Sequence, residues 1–163
     1  MKNKTALITG ATSGIGLATA RTFAENNINL ILCGRRKKRL DAIEEELSKL
    51  TNVHTLKFDV RNKHRIAELL KDLPPAFSNI DILINNAGNA HGLDPIQDGS
   101  IEDWDAMLDI NVKGLLYVSK AIIPQMIKRK SGHIINIGST AGKEVYPNGN
   151  VYCASKHAVD AIN

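Results

Sequence analysis

The sequence predicts an α/β fold in which helices cover both faces of a parallel sheet. Short apolar runs of strand length alternate along the chain with longer amphipathic segments of helical period. No linker, low-complexity tract or short-period repeat interrupts this alternation. Of the 163 residues, 43% are hydrophobic and 23% are charged, as in ordinary globular proteins. One domain over residues 1–163 is therefore expected.

The expected strands are apolar runs followed by turn-forming or polar residues. They cover residues 5–8, 28–32, 53–58, 80–84 and 133–137. Nearly continuous aliphatic character in such runs is typical of strands that are buried on both faces of a parallel sheet. After the fourth strand, a loop rich in Gly, Asn and Asp runs to about Ser100.

Helices are expected between these strands. The first covers residues 14–25, and the second covers residues 38–50 with Leu40, Ile43, Leu47 and Leu50 on one face. The third is marked by Ile66, Ala67, Leu69 and Leu70 and is ended by Pro74 and Pro75. A long helical stretch over residues 102–130 is expected to bend near Asn111 and near Pro124, since proline cannot donate to the helix ladder.

Reactive side chains are concentrated in residues 139–156. Tyr152 and Lys156 stand four residues apart in a helix-compatible segment, so the phenol and the ammonium can share one face. A neighbouring cation favours the phenolate, and a tyrosine in this setting can pass a proton to or from a reacting oxygen. Ser139 follows the fifth expected strand, where α/β folds place their chemistry, and its hydroxyl could bind the same oxygen.

A Y-x-x-x-K pattern alone is weak evidence, because many ordinary helices contain one. Here it occurs together with Ser139 and with a glycine-rich turn at the other end of the chain. The combination favours a catalytic interpretation of Tyr152 and Lys156.

The glycine-rich turn over residues 9–16 follows the first expected strand directly. Glycines let a backbone turn sharply beside a pyrophosphate, and the next helix offers free N–H groups to the anion. The spacing G-x-x-x-G-x-G differs from the commoner G-x-G-x-x-G, and either pattern alone is weak. The cofactor-binding residues predicted here are Gly10, Thr12, Ser13, Gly14, Ile15 and Gly16.

A basic run over residues 35–39 follows the second expected strand. An acidic residue at this point favours NAD, whereas arginine suits NADP because its planar guanidinium can grip a 2′-phosphate. Arg35 and Arg36 therefore predict NADP(H). Nucleic acid is an alternative partner for such a run, and a solvated helix start is the simplest interpretation of its last three residues.

Together these features resemble the short-chain dehydrogenase/reductase family, and the resemblance covers essentially the whole chain. Asp59-Val60, the N-N-A-G at residues 85–88 and Asn111 also match the family pattern. The resemblance implies that Asp59 and Val60 meet the adenine and that Asn86 contacts the cofactor. It also implies that Asn111 holds a water in a proton relay with Lys156, although a lone asparagine there would be taken for a helix cap.

The resemblance implies a Rossmann-like doubly wound sheet and NADP-dependent hydride transfer between nicotinamide and a carbonyl or secondary alcohol. Tyr152 would supply the proton, Ser139 would hold the carbonyl oxygen, and Lys156 would favour the phenolate and bind the nicotinamide ribose. The stretches G-R-R-K-K-R-L and H-I-I-N-I-G-S-T-A-G resemble a branch that acts on 3-hydroxy acids. Its substrates include serine, allo-threonine and 3-hydroxypropionate, with malonic semialdehyde as a reducible substrate.

Family members usually continue beyond the position that matches Asn163, with two more strands and a lid over the substrate. Relative to the family the chain looks C-terminally truncated, and a homotetramer is implied for a longer parent. We expect residues 1–163 alone to be inactive and prone to aggregate, because the fifth strand would present an unpaired edge. A non-catalytic NADP-binding fragment or a regulatory domain is the alternative function.

Other features bear on location and on other kinds of partner. No apolar run approaches the roughly 20 residues that span a bilayer, and the N-terminus reaches Gly10 too soon for a signal-peptide core. Cys33 and Cys153 show no C-x-x-C or metal spacing, which predicts reduced thiols in the cytoplasm. The formal charge is a modest +4. We expect no metal, membrane or nucleic-acid partner.

Overall fold

A parallel sheet forms the centre of the molecule. The computed structural model describes residues 4–163, so residues 1–3 of the basic N-terminus lie outside the described part. The strands are β1 (Thr5–Thr9), β2 (Asn29–Gly34), β3 (Val53–Lys57), β4 (Ile82–Asn85) and β5 (His133–Asn136). They pair in the order β3-β2-β1-β4-β5, and every pairing is parallel, as predicted.

Helices connect the strands and pack on the sheet. They are α1 (Gly14–Glu25), α2 (Lys37–Leu47), α3 (Lys63–Lys71), α4 (Ile101–Leu108), α5 (Leu115–Arg129) and α6 (Asn150–Ile162). A π-helical segment, Asp109–Gly114, joins α4 to α5, and short 3₁₀ turns lie at Pro75–Phe77 and Thr140–Gly142. The expected interruption near Asn111 is therefore this π-helical segment, whereas α5 continues through Pro124.

The two faces of the sheet bury separate apolar clusters. Leu7 of β1 belongs to a cluster that includes residues of α3 and α5, whereas its neighbour Ile8 belongs to a cluster that includes residues of α1 and α2. Successive strand residues point to opposite faces, so both faces are covered by helices. The predicted Rossmann-like α/β fold is confirmed.

The order of the strands reverses beside β1. The chain moves outward from β1 through β2 to β3 and then returns to the other side of β1 as β4. Open α/β sheets bind ligands in the crevice outside the carboxyl ends of the strands at such a switch point.

Several predicted boundaries differ from the structure by one to three residues, and two of these differences have a clear physical cause. α2 ends at Leu47, and Leu50 is 50% exposed rather than on the buried face. The N–H of Leu50 donates to the Leu47 carbonyl at 2.9 Å, a tight turn that takes the chain off the helix axis. The fourth strand begins at Ile82, because Ile80 is buried with its N–H on the Gln125 side chain instead of in the sheet ladder.

β5 lies at an edge of the sheet in the described part of the chain, where it pairs with β4 alone. Its residues Ile134 and Ile135 are 36% and 37% exposed. Over residues 4–163, no helix has the length and apolar character that crossing a membrane requires.

Candidate active site

A cavity of about 530 Å³ opens at the switch point, outside the carboxyl ends of the strands. Its wall brings together residues that the sequence separates by more than a hundred positions, from the glycine-rich turn to α6. Of the predicted site residues, the wall includes Gly10, Thr12, Ser13, Gly14, Ile15, Arg35, Arg36, Asp59, Val60, Asn86, Tyr152 and Lys156. Gly16, Asn111 and Ser139 lie behind it or beside it.

The glycine-rich turn is shaped by close packing against β4. Gly10 has φ +64°, a left-handed conformation that favours glycine. A Cβ on Gly16 would lie 2.7 Å from the Gly10 carbonyl oxygen and in contact with the Asn86 amide. Gly16 therefore allows the turn to pack closely, and it does not line the cavity.

The start of α1 is open toward the cavity. Ser13 is the N-cap residue, but its side chain makes no capping hydrogen bond. Gly14 has φ +55°, and a Cβ there would meet no described atom within 4 Å. Uncapped N–H groups beside open space form a place where an anion can bind.

Hydrogen bonds of Asn86 join the end of β4 to this turn. Its Nδ2 donates to the carbonyl oxygens of Thr9 and Gly10 at 2.9 and 3.1 Å. The Thr9 hydroxyl accepts the N–H groups of Asn86 and Ala87 at 3.0 Å each. Sequence reasoning missed Thr9, because a threonine at the end of a strand is ordinary until its partner is known.

The two arginines after β2 have different partners. Arg36 folds onto the turn: its Nη2 donates to Thr12 Oγ1 at 2.6 Å and to Ser13 Oγ at 3.0 Å. The Arg35 side chain is 64% exposed, and its Nη1 lies 3.9 Å from Asp59 Oδ2. Both arginines therefore line the cavity. The Arg36 guanidinium is held by hydrogen bonds, whereas the Arg35 guanidinium is mostly exposed.

Asp59 and Val60 follow β3 at the same end of the cavity. A hydrogen bond from the Arg61 side chain holds the pKa of Asp59 below its ordinary value, although partial burial opposes this shift. Val60 packs on Gly114 of the π-helical segment, where a Cβ would lie 2.6 Å from Val60 Cγ2.

Tyr152 and Lys156 lie on α6 at the opposite end of the cavity. The Lys156 Nζ donates to the carbonyl oxygen of Ile137, just after β5, at 2.9 Å. Burial lowers the pKa of the Lys156 ammonium below its ordinary value, since desolvation disfavours the charged form.

Ser139 lies beside this pair at the start of a 3₁₀ turn. Its Oγ accepts the N–H of Ala141 at 3.2 Å, which fixes the turn Thr140–Gly142. Gly142 lets this turn approach α6, because a Cβ there would lie 2.7 Å from the Lys156 carbonyl oxygen. Ser139 is half-buried and stands outside the cavity wall in the described structure.

Asn111 is 2% exposed and is held inside the protein. Its amide pairs with the backbone of Asn89, accepting its N–H at 2.8 Å and donating to its carbonyl at 2.9 Å. The same Nδ2 donates to Ser155 Oγ at 3.0 Å, and Ser155 in turn donates to the Tyr152 carbonyl at 2.7 Å. Asn111 thus connects the loop after β4 to the helix that carries Tyr152.

Asn89 and Ser155 are further residues that sequence reasoning missed. Asn89 lines the cavity, and its buried Oδ1 has no hydrogen-bond partner among residues 4–163. Ser155 is fully buried, and its place in Y-C-A-S-K gave no signal beyond helix packing. Cys33 and Cys153 are buried free thiols, and the described part of the chain has no cluster of three His, Cys, Asp or Glu residues that could hold a metal.

Residues 4–163 match the model of the family described as short chain dehydrogenase. The chain belongs to the short-chain dehydrogenase family. A curated relative is the NADP-dependent 3-hydroxy acid dehydrogenase YdfG of Salmonella typhi, which is 51% identical over 150 residues. That match covers 92% of this chain and 60% of the relative.

Another curated relative and a solved structure are named for different substrates. Sulfoacetaldehyde reductase 2 of Chromohalobacter salexigens is 47% identical over 151 residues, covering 92% of this chain and 60% of that protein. The solved closed form of serine dehydrogenase complexed with NADP⁺ is 46% identical with a TM-score of 0.92. That match covers 97% of this chain and 63% of the chain in the solved structure. The chain thus spans about 60% of the length of these curated relatives.

Proposed function

We propose that this chain is the NADP(H)-binding part of a short-chain oxidoreductase that transfers hydride between nicotinamide and a carbonyl or secondary alcohol. The observation that carries the proposal is that one cavity has Arg35 and Arg36 at one end and Tyr152 and Lys156 at the other. The glycine-rich turn lies between these ends. A dinucleotide with a phosphorylated ribose would meet complementary groups along its whole length.

The residues present fit NADP(H). The open start of α1 suits the pyrophosphate, and the guanidinium groups of Arg35 and Arg36 suit the 2′-phosphate. Asn89 also lines the cavity, and its buried Oδ1 has no hydrogen-bond donor among the described residues. Asp59 and Val60 would meet the adenine, and Asn86 would support the turn and line the pocket.

When bound, the nicotinamide supplies the hydride chemistry. Tyr152 would donate a proton to the substrate oxygen in the reductive direction and accept it in the other. Lys156, four residues after Tyr152 on α6, would bind the nicotinamide ribose and keep its hydrogen bond to the Ile137 carbonyl. Ser139 would bind the substrate oxygen, and Asn111 would support the relay by holding Asn89 and α6 in place.

The substrate we propose is a 3-hydroxy acid, such as serine, allo-threonine or 3-hydroxypropionate, with malonic semialdehyde in the reductive direction. This proposal is supported by the relatives named as 3-hydroxy acid and serine dehydrogenases. We further propose one domain over residues 1–163, a cytoplasmic location and a homotetramer, as the resemblance to the family implies.

The test is NADPH oxidation with malonic semialdehyde by the natural protein that contains this chain, beside its Tyr152→Phe variant. We expect NADPH consumption in the parent and nearly none in the variant, with binding of NADPH retained by both. Binding without turnover in the parent would instead support the non-catalytic NADP-binding alternative. Failure to bind NADPH would contradict both functions.

A further inference from the structure

Asp59 lies between two arginines at the carboxyl ends of β2 and β3. The register pairs Gly34 with Lys57, and the N–H of Phe58 donates to the Gly34 carbonyl at 3.1 Å. Arg35 and Asp59, which follow these strands, are therefore neighbours, with Arg35 Nη1 3.9 Å from Asp59 Oδ2. Both residues line the cavity.

Arg61 holds Asp59 from the other side. Its Nε donates to Asp59 Oδ1 at 3.1 Å, and its Nη2 donates to Oδ2 at 2.7 Å. The Arg61 backbone N–H adds a third bond to Oδ1 at 3.0 Å. Arg61 itself lies outside the cavity wall, in a neighbouring depression with Lys63, His64 and Tyr117.

These contacts set up a competition for Arg35. The Asp59 carboxylate is close enough to the Arg35 guanidinium to compete with the 2′-phosphate for it. If Asp59 had no other partner, its negative charge would also repel that phosphate. The fork of Arg61 engages both oxygens of Asp59 and balances its charge. We infer that Arg61 determines the preference for NADP(H) over NAD(H), because it keeps Asp59 paired and leaves Arg35 free for the 2′-phosphate.

The inference rests on the proposed binding of NADP(H), and binding rather than turnover tests it. Calorimetric titration with NADP⁺ and NAD⁺ gives the ratio of the two dissociation constants. Effects on the adenine side cancel in this ratio, because the two cofactors differ only in the 2′-phosphate. We expect Arg61→Gln to lower the preference for NADP⁺ by about tenfold, which corresponds to about 1.4 kcal/mol.

A matched control removes the same charge from a nearby exposed position. Arg65 lies on α3 and pairs with Glu68 at 2.6 Å, away from the cavity wall. Arg65→Gln is expected to leave the ratio unchanged within about twofold. The double variant Asp59→Asn/Arg61→Gln is expected to regain most of the preference, because Arg35 then has no competing carboxylate.

The outcomes separate the inference from the proposed function. A folded Arg61→Gln variant with an unchanged ratio would overturn the inference, and so would an equal loss in Arg65→Gln. If Arg61→Gln does not fold, Arg61→Lys keeps the charge without the fork and is expected to lower the ratio about threefold; an unchanged ratio there would also overturn it. If the unsubstituted natural protein binds neither cofactor, or binds both equally, the proposed NADP(H) function itself fails.

Discussion

The packing of Gly16 against Asn86 predicts that Gly16→Ala destabilises the fold although alanine is the better helix former. The new Cβ would lie 2.7 Å from the Gly10 carbonyl oxygen and would press on the Asn86 amide, which holds two carbonyls of the turn. Overpacking costs about 1–3 kcal/mol, and each hydrogen bond that Asn86 loses adds about 1 kcal/mol. The gain in helix propensity offsets about 1 kcal/mol.

We therefore expect Gly16→Ala to lower the free energy of unfolding by about 2–4 kcal/mol, measured by urea denaturation. For a chain of this size, the melting temperature would fall by about 4–16 °C. Gly138→Ala is the control, because a Cβ at Gly138 would meet no described atom within 4 Å. Its effect should stay within about 0.5 kcal/mol. Equal stability of Gly16→Ala and the unsubstituted chain would refute the packing argument.

The remaining predictions concern the cavity and its support. Tyr152→Phe in the natural protein should keep NADPH affinity and lose about 100-fold or more in turnover, whereas Lys156→Ala should reduce both; steady-state kinetics with NADPH titration measures each. Ser155→Ala should cost about 1–3 kcal/mol in denaturation experiments, because the buried Asn111 amide and the Tyr152 carbonyl lose a partner. Asp59→Asn should lower stability at pH 7 by about 1 kcal/mol or less, since its lowered pKa stabilises the fold only while the carboxylate is ionised. This difference should vanish as the pH falls from about 4 through the lowered pKa of Asp59, which urea melts across that range would detect.

The fold could be predicted because its signals are local. Apolar runs and helical periods are read within a few residues, and α1 begins and ends where the sequence indicated. The errors at Leu50 and Ile80 have a different origin. Both residues are hydrophobic and lie just outside the neighbouring element. A turn ends α2 before Leu50, and a hydrogen bond to the Gln125 side chain keeps the Ile80 N–H out of β4.

The candidate site was predictable as a set of residue types but not as a set of contacts. The sequence indicated that Arg36 and the glycine-rich turn belong to one site, yet the bonds from Arg36 to Thr12 and Ser13 depend on how β2 lies beside β1. The partners of Asn111 are likewise tertiary: Asn89 and Ser155 lie 22 and 44 residues away along the chain. The spacing of residues in the sequence does not indicate which of them form such hydrogen-bonded pairs.

The central claim is that the cavity binds NADP(H) with its 2′-phosphate at Arg35 and Arg36. Calorimetric titration of the natural protein that contains this chain with NADP⁺ and NAD⁺, repeated on its Arg36→Gln variant, tests it most directly. We expect NADP⁺ to bind more tightly than NAD⁺ by roughly tenfold or more, and we expect Arg36→Gln to lose most of that preference. Equal affinities for the two cofactors in the unsubstituted natural protein, or a preference that survives in Arg36→Gln, would contradict the claim.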